Sequence, residues 1–492
     1  MVNAMHRRIA RWRHRTKASN CSLTVPQGPV VFGGALCFFR GLGFAPSPGG
    51  YKPGMHEAGT KARDERTPWL AVLVASLGYF VDLYDLVIFS VVRVPSLGAK
   101  GLGLPEATDT VGTGFVEGLV RTVRILLGHE QGDITSAGSA ILDVQLTGMV
   151  IGGFLWGVLG DRRGRLTTLF GSIALYSTAN MLNAFVATVP QYAALRFIAG
   201  IGLAGELGAG VTLVSELMNR HHRGWGTMIV AFAGMLGPVA ASLVGGWIEW
   251  RHAYLIGGAM GFALLALRIG LVESGMFRRS AREHARRGDL RMLFGSWDRL
   301  RRLLSVVALG SPIWFVGGVV FVFGPELARA IGCTEPVRPA IVVLCGYLGA
   351  AAGDLASGAA SQFLRSRRVV IAGAIVLLAC ALAGLLTLGG RGSSWFYAAT
   401  AVAGFATGYW AVFVTVAGES FGTNLRATVA TSAPNLVRWS AVIWVNAWGA
   451  LKPTLGAAAA AACVAAVAIA VGLFGVWRLP EPFGRDLDWE ES

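Results

Sequence analysis

The chain has 492 residues, of which 54% are hydrophobic and only 14% are charged. An ordinary soluble domain is about 25% charged, so this composition excludes a water-soluble enzyme and indicates an integral membrane protein. The 67 glycines follow no fixed period, which excludes a collagen-like chain. The net charge of +15 could indicate nucleic-acid binding or an orientation in a membrane, and the positions of the charges decide between these.

Twelve stretches of the chain contain the roughly 20 mostly apolar residues that a transmembrane helix needs. We number them as spans 1 to 12, at 69–92, 138–160, 166–187, 190–217, 224–247, 252–272, 303–324, 338–361, 368–389, 394–418, 426–450 and 455–477. A basic linker at 273–302 separates the first six spans from the last six. The sequence therefore predicts an all-α membrane protein with two pseudo-symmetric six-helix bundles, at 68–272 and 303–478.

The basic residues are distributed unevenly between the two sides of these spans. With both termini on one side, 31 of the 43 Lys and Arg residues lie on that side and 8 on the other. The positive-inside rule then places both termini in the cytoplasm of a multi-pass inner (plasma) membrane protein. The charge therefore predicts topology, and we expect no nucleic-acid partner. Four arginines remain within the spans or at their ends: Arg93, Arg196, Arg268 and Arg438.

The segments outside the spans give less specific predictions. Residues 1–67 read as a basic, disordered tail, unless translation starts at Met55. Residues 479–492 read as a cytoplasmic tail. The long segment 94–137 on the other side contains either a short amphipathic surface helix at 116–127 or a simple insertion.

The chemistry of the spans argues against an enzyme, which is the non-transport alternative. The six cysteines form no CxxC pair, and the eight histidines lie in loops, in tails or at a helix edge. We therefore expect no metal and no cofactor. A membrane-embedded enzyme would need a nucleophile and base within the spans, and a channel would need repeated pore-lining charges. Neither pattern is present in the sequence.

The two halves of the chain resemble each other and a known family. Residues 211–216 (VTLVSE) in span 4 match residues 414–419 (VTVAGE) in span 10, as expected of a transporter built from repeats. The segment 157–165, GVLGDRRGR, resembles the G-x-x-x-D-R-x-G-R motif of the major facilitator superfamily. In span 1, Asp82-Leu83-Tyr84-Asp85 resembles the branch of metabolite, aromatic-acid and phosphate proton symporters and sugar porters. The resemblance covers about residues 68–490 and implies alternating-access transport.

Four ionisable residues are the candidates for proton coupling. Asp82 and Asp85 lie three residues apart in an apolar helix, where a charge is costly unless it has a partner or water. At 1.5 Å per residue, Asp85 and Arg196 lie at similar depths, so the two can pair. The resemblance implies the same pairing, whereas the alternative is a static ion pair. Glu206 belongs to the proton route by resemblance, or else to a glycine-rich packing face.

Five residues of the second half are the candidates for substrate binding. Trp314 matches a substrate-contacting tryptophan in the resemblance, and Tyr409 and Trp410 could stack on a substrate or pack against lipid. We expect span 11 to break at Pro434-Asn435, which would place Asn435 and Arg438 at a cavity. Arg438 is the candidate for a substrate carboxylate. Its alternative is a salt bridge with Asp354 or Glu419.

A third group of residues is predicted to latch the two halves on the cytoplasmic side. The resemblance implies this role for the loop between spans 2 and 3. We expect Asp354 of span 8 and Glu419 of span 10 to take part in the same latch. The loop residues are Gly157, Asp161, Arg162, Gly164 and Arg165.

These observations predict a monomeric secondary transporter that moves a small polar metabolite, favoured to be an organic acid, by proton symport. Its partners are the small-molecule substrate, protons and the lipid bilayer. The alternative function is proton-antiport efflux of small amphiphilic compounds, which the Gly237-Pro238 pair in span 5 would suit and the acid pair in span 1 does not.

Overall fold

The structure is a computed structural model, which describes residues 66–106, 115–130, 132–163, 165–206, 223–273, 293–483 and 491. All of these residues lie in one compact unit, Gly59–Ser492. The predictions for residues 1–65, including the alternative start at Met55, lie outside the described part of the chain. The prediction for most of the linker, 274–292, does so as well.

The first six spans form helices close to the predicted bounds. Their long apolar runs favour helices, because in hydrocarbon every main-chain N–H and C=O must be satisfied within the segment. Spans 1 to 6 are Arg66–Leu97, Ile134–Arg163, Arg165–Asn183, Val189–Leu203, Arg223–Trp247 and Trp250–Glu273. Span 4 begins at an N-cap, where the Thr188 hydroxyl accepts a hydrogen bond from the main-chain N–H of Gln191. Residues 207–222, which include the predicted end of span 4, lie outside the described residues.

The last six spans are less regular than the first six. Span 7 is α-helical over Trp297–Phe315 and continues as a π-helix over Val316–Val322, followed by a short helix at Gly324–Ala330. Span 10 consists of two helices, Ser393–Thr407 and Trp410–Glu419. Spans 8, 9, 11 and 12 are Pro339–Phe363, Arg367–Leu388, Thr423–Leu455 and Ala457–Arg478.

Nine helices among the described residues are long and apolar enough to cross a membrane. Span 4 is not one of them because its helix is described over only 15 residues. Spans 3 and 11 are long enough but more polar. The polar residues of span 11 face the protein interior, since Thr428, Ser432, Asn435, Arg438 and Ser440 are all buried.

The predicted break in span 11 is wrong. The helix Thr423–Leu455 runs through Pro434 without interruption, and the Asn435 side chain donates to the main-chain oxygens of Thr431 and Ala204. The Asn435 side chain thus joins span 11 to span 4 beside the proline. The break lies instead in span 10, between Thr407 and Trp410.

The external segment contains the amphipathic helix that was one of its two predictions. It covers Phe115–Leu126 and packs against spans 2, 4 and 11. We call the end of the molecule that carries this helix the outer end. The two most extensive contacts between the bundles are those of span 2 with span 11 and of span 5 with span 8.

Candidate functional site

A small cavity lies between the two bundles, midway along the spans. Its volume is about 40 Å³, which is room for about three water molecules and no more. A solute larger than a few water molecules therefore enters only if the bundles move apart. The lining residues are Tyr79, Leu83, Met235, Ile313, Trp314, Gly317, Phe321, Tyr347, Ala350, Thr407, Trp410 and Arg438.

Arg438 and Asp82 form a loose, buried ion pair across the two bundles. Arg438 Nη2 lies 3.8 Å from Asp82 Oδ2, and both side chains are at most 1% exposed. Neither carboxylate oxygen of Asp82 accepts a hydrogen bond from a described residue, and neither Arg438 Nε nor Nη2 donates one. Arg438 Nη1 donates to Asn435 Oδ1 at 3.1 Å. The predicted alternative partners of Arg438, Asp354 and Glu419, are bound elsewhere, so the salt-bridge partner is corrected to Asp82.

Arg196 lies beside Asp85, but not in the predicted ion pair. Its Nη2 donates to the main-chain oxygen of Asp85 at 3.0 Å, and its Nη1 and Nε donate to Asn180 and Gln145. The Asp85 carboxylate lies near the Asn180 side-chain amide, but neither of its oxygens accepts a hydrogen bond of good geometry from a described residue, and it lies against Gly257 of span 6. The predicted depths of Asp85 and Arg196 therefore agree with the structure, in which the two residues are neighbours. However, no described cation lies within ion-pair distance of the Asp85 carboxylate.

Glu206 is paired with an arginine that the sequence did not connect to it. Arg268 of span 6 donates to Glu206 with both terminal nitrogens, Nη1 to Oε2 at 3.0 Å and Nη2 to Oε1 at 2.5 Å. Arg268 Nη2 also donates to the Val74 main-chain oxygen at 3.3 Å. The pair fills the space beside Gly78 of span 1, where a methyl group would overlap it. This two-pronged geometry is the strong form of an arginine–carboxylate pair.

The five predicted substrate residues separate into two groups. Trp314, Trp410 and Arg438 line the cavity. Trp410 Nε1 donates to the Tyr79 hydroxyl at 2.8 Å, which joins span 10 to span 1. The other two, Tyr409 and Asn435, are not among the lining residues, which corrects the expectation that Tyr409 stacks on a substrate. Tyr409 donates its hydroxyl to the Leu309 main-chain oxygen at 3.0 Å, and Asn435 holds spans 4 and 11 together.

Toward the outer end, the bundles are joined by an ion pair that sequence reasoning missed. Arg93 Nη2 donates to Glu326 Oε1 at 2.6 Å and to the Val322 main-chain oxygen at 3.2 Å. Its guanidinium carbon lies 4.5 Å from the centre of the Phe323 ring, and Thr135 Oγ1 donates to Glu326. Burial raises the pKa of Glu326, but the Arg93 guanidinium outweighs it and holds this pKa below its usual value. The sequence did contain a sign of this contact, because Arg93 lies at the end of a span and a charge there needs a partner.

The predicted cytoplasmic latch is only partly visible. The side chains of Asp161, Arg162 and Arg165, and the whole of Gly164, lie outside the described residues. Gly157 is described, and a methyl group there would meet nothing within 4 Å. The latch therefore stays a prediction.

Asp354 and Glu419 both make contacts within the second bundle. Asp354 Oδ1 accepts a hydrogen bond from the Ala411 main-chain N–H at 3.0 Å, so this carboxylate caps the second helix of span 10 at the break. Glu419 Oε1 accepts from Arg367 Nη2 at 2.7 Å. The hydrogen bond between Asp354 and Ala411 lies at the break in span 10 and points to a structural role for Asp354.

This architecture of two six-helix bundles around a central cavity defines a class of membrane transporter, and the comparisons with known proteins agree. The sequence profile of the Major Facilitator Superfamily matches residues 110–445. The chain therefore belongs to the major facilitator superfamily.

Individual relatives of the chain are transporters. It is 27% identical to a probable 4-methylmuconolactone transporter of Cupriavidus pinatubonensis, over 69% of this chain and 81% of that protein. It is 28% identical to the 3-(3-hydroxy-phenyl)propionate transporter of Escherichia coli, over 66% and 79%. Its fold matches that of the proton:xylose symporter XylE with a TM-score of 0.60 and 17% identity, over 86% of this chain and 98% of that chain. The predictions of a transporter, of a multi-pass membrane protein and of this fold are confirmed.

Proposed function

We propose that the chain imports an organic acid together with a proton, and that Arg438 binds the acid's carboxylate. The observation that carries this proposal is the loose Asp82–Arg438 pair at the cavity. At 3.8 Å the two groups attract each other without a hydrogen bond, and two nitrogens of Arg438, Nε and Nη2, donate to no partner among the described residues. A planar carboxylate matches these donors, because a guanidinium presents its N–H groups as a fork.

The proposed coupling follows from the exchange of partners at Arg438. When the substrate carboxylate takes the guanidinium, Asp82 becomes a buried carboxylate without a cation. An uncompensated buried charge costs several kcal/mol, so Asp82 takes up a proton instead. Substrate and proton are then bound together, and release of one favours release of the other. This reciprocity is a coupling free energy between the two ligands.

The lining of the cavity supports a ring-containing acid as the substrate class. Five aromatic side chains surround the single cation Arg438: Tyr79, Trp314, Phe321, Tyr347 and Trp410. Aromatic side chains favour offset or edge contacts with a flat ring. The name of the 3-(3-hydroxy-phenyl)propionate transporter, a relative over most of its length, denotes an aromatic carboxylate, in agreement with this chemistry.

The experiment compares Asp82→Asn and Asp85→Asn in proteoliposomes with 3-(3-hydroxyphenyl)propionate as the first probe. We expect Asp82→Asn to abolish uphill, proton-driven uptake and to keep counterflow, because the neutral side chain stands in for the protonated acid. Full uphill uptake by Asp82→Asn would refute its role, and loss of uphill uptake in Asp85→Asn alone would assign the proton to Asp85. Efflux driven by inward proton movement would favour the antiport alternative.

We also propose that both termini are cytoplasmic, with the bundles at 68–272 and 303–478 in the inner (plasma) membrane of the cell. The excess of Lys and Arg in the segments on the side of the termini supports this orientation. A reporter enzyme that is active only in the cytoplasm, fused after residue 492, should be active. The same reporter inserted into the segment 107–114 should be inactive.

A further inference from the structure

Span 2 carries a buried acid, Asp143, for which the transport proposal has no role. It lies nine residues after Ile134, about 14 Å from the outer end of the span. Asp143 faces span 11 of the other bundle and is 8% exposed. Spans 2 and 11 form one of the two most extensive contacts between the bundles, and we call this contact the 2–11 seam.

Three polar contacts hold the 2–11 seam and its surroundings closed. Nearest the outer end, Asn446 Nδ2 donates to Asp143 Oδ2 at 2.8 Å. One turn further in, Trp439 Nε1 donates to the Thr147 hydroxyl at 3.3 Å. Deepest, Asn435 Nδ2 donates to the main-chain oxygen of Ala204 at 3.3 Å. Asp143 is the single ionisable side chain in these three contacts, and it is closest to the outside.

The charge of Asp143 would have no cation to balance it in the closed seam. Its second oxygen, Oδ1, is buried and has no hydrogen-bond partner within the described ranges. Five described cations of the elements packed around span 2 have other contacts: Arg93 with Glu326, Arg196 with Asn180 and Gln145, Arg438 with Asp82, Arg121 with Glu130 and Lys452 with the Trp448 ring. A sixth, Arg124 of the external helix, is exposed. A neutral carboxyl leaves at most one hydroxyl unmatched, which costs far less than an uncompensated charge.

We propose that Asp143 is a second proton-binding residue of the transport cycle. It is ionised while the outer end of the 2–11 seam is open to water, and it takes up a proton from the outside when the seam closes. The external proton is thus a ligand of the closed seam. This site is separate from the exchange at Arg438, since it uses no substrate and none of the residues that line the cavity.

The sign of the pH effect follows from this linkage. The open seam holds one proton fewer than the closed seam, so acid outside favours closure and alkali favours opening. One linked proton changes the open-to-closed ratio by about tenfold per pH unit across the range where Asp143 titrates. Glu326 does not interfere between pH 5.5 and 8, because Arg93 holds its pKa below the usual value and it stays ionised.

The test measures how fast the outer seam opens to a reagent, without any substrate. Ser139 lies one turn outward from Asp143 on the same helix, and Thr334 is exposed in the segment after Gly324–Ala330. In a variant without the six native cysteines, Ser139→Cys is labelled with a membrane-impermeant maleimide at outside pH values from 5.5 to 8. The labelling of Thr334→Cys, measured separately, corrects for the pH dependence of the thiol reaction.

We expect the corrected labelling rate of Ser139→Cys to rise with pH, by up to about tenfold per unit. Asp143→Asn should label slowly and independently of pH, because its side chain is always neutral, and Asp143→Glu should restore the slope. The proposal would be overturned if the labelling rate did not depend on pH while Asp143 is present. An unchanged pH dependence in Asp143→Asn would overturn it as well. If Asp82→Asn flattens the profile instead, the proton belongs to Asp82, and only this inference fails.

Discussion

The two bundles differ in where they hold charge. In the first bundle, seven ionisable Asp, Glu and Arg side chains are buried among the described residues: Asp82, Asp85, Arg93, Asp143, Arg196, Glu206 and Arg268. In the described part of the second bundle there are two, Asp354 and Arg438. The second bundle instead supplies nine of the twelve residues that line the cavity. This contrast supports the proposal that the first bundle binds the protons and the second bundle binds the substrate.

Arg438 is the exception that connects these two roles. It belongs to the second bundle and lines the cavity, but its counter-ion is Asp82 of the first bundle. The predictions below test whether the two bundles have these separate roles, beginning with Arg438.

Replacing Arg438 should have the largest effect. Arg438→Ala removes the cation of the cavity and leaves Asp82 without its partner, and breaking a buried pair costs about 3–5 kcal/mol. We expect uptake of 3-(3-hydroxyphenyl)propionate to fall at least about 100-fold. Arg438→Lys keeps the charge but loses the planar fork, so it should restore only part of the uptake. Wild-type uptake by Arg438→Ala would show that the second bundle binds the substrate without it.

This pairing also shows where sequence reasoning stops. Hydropathy predicts twelve spans, and each of them is helical over the part that the structure describes, because the length of an apolar run is a local property. It also identified Asp82 and Arg438, because charge inside a span is rare. Their pairing depends on how spans 1 and 11 meet across the bundles, which neither spacing nor depth along one helix records. The same limit applies to Arg93 and Arg268, because their partners Glu326 and Glu206 lie far from them in the sequence.

The Glu206–Arg268 pair tests whether every buried charge of the first bundle serves transport. Glu206→Gln leaves Arg268 with a neutral acceptor, so we expect a loss of about 2–3 kcal/mol in stability, seen as a lower melting temperature in detergent. The double variant Glu206→Gln with Arg268→Gln should recover much of it, because no unpaired charge remains. Recovery of uphill uptake as well would make the pair purely structural, whereas stability without uptake would place Glu206 on the proton route.

The Arg93–Glu326 pair joins the bundles on the outer side of the cavity. Glu326→Gln keeps the shape and one acceptor but loses the charge, so the outer closed state should weaken by about 1.5 kcal/mol. Corrected labelling of Ser139→Cys at pH 7 should then rise by about tenfold. Glu335, which accepts hydrogen bonds from Ser393 within the second bundle, offers the matched control Glu335→Gln. Equal rates in the two variants would remove the pair from the outer gate.

Strong outside acid should weaken the same pair. The pKa of Glu326 is held below its usual value by Arg93, so the charge contribution is complete at neutral pH. It is lost as the pH falls through that lowered value. Labelling of Ser139→Cys should therefore begin to rise again below about pH 4.5, and Glu326→Gln should show no such rise.

The smallest expected effect concerns the single hydrogen bond between Tyr79 and Trp410. Tyr79 is one of only three cavity residues from the first bundle, and its hydroxyl accepts from Trp410 Nε1 at 2.8 Å. Tyr79→Phe keeps the ring and removes this acceptor, which costs about 1 kcal/mol and should raise KM for uptake about fivefold. If the first bundle handles only protons, the proton-to-substrate ratio should stay unchanged in this variant. A changed ratio would mean that substrate and proton are sensed by the same side chain of span 1, and the division between the bundles would not hold there.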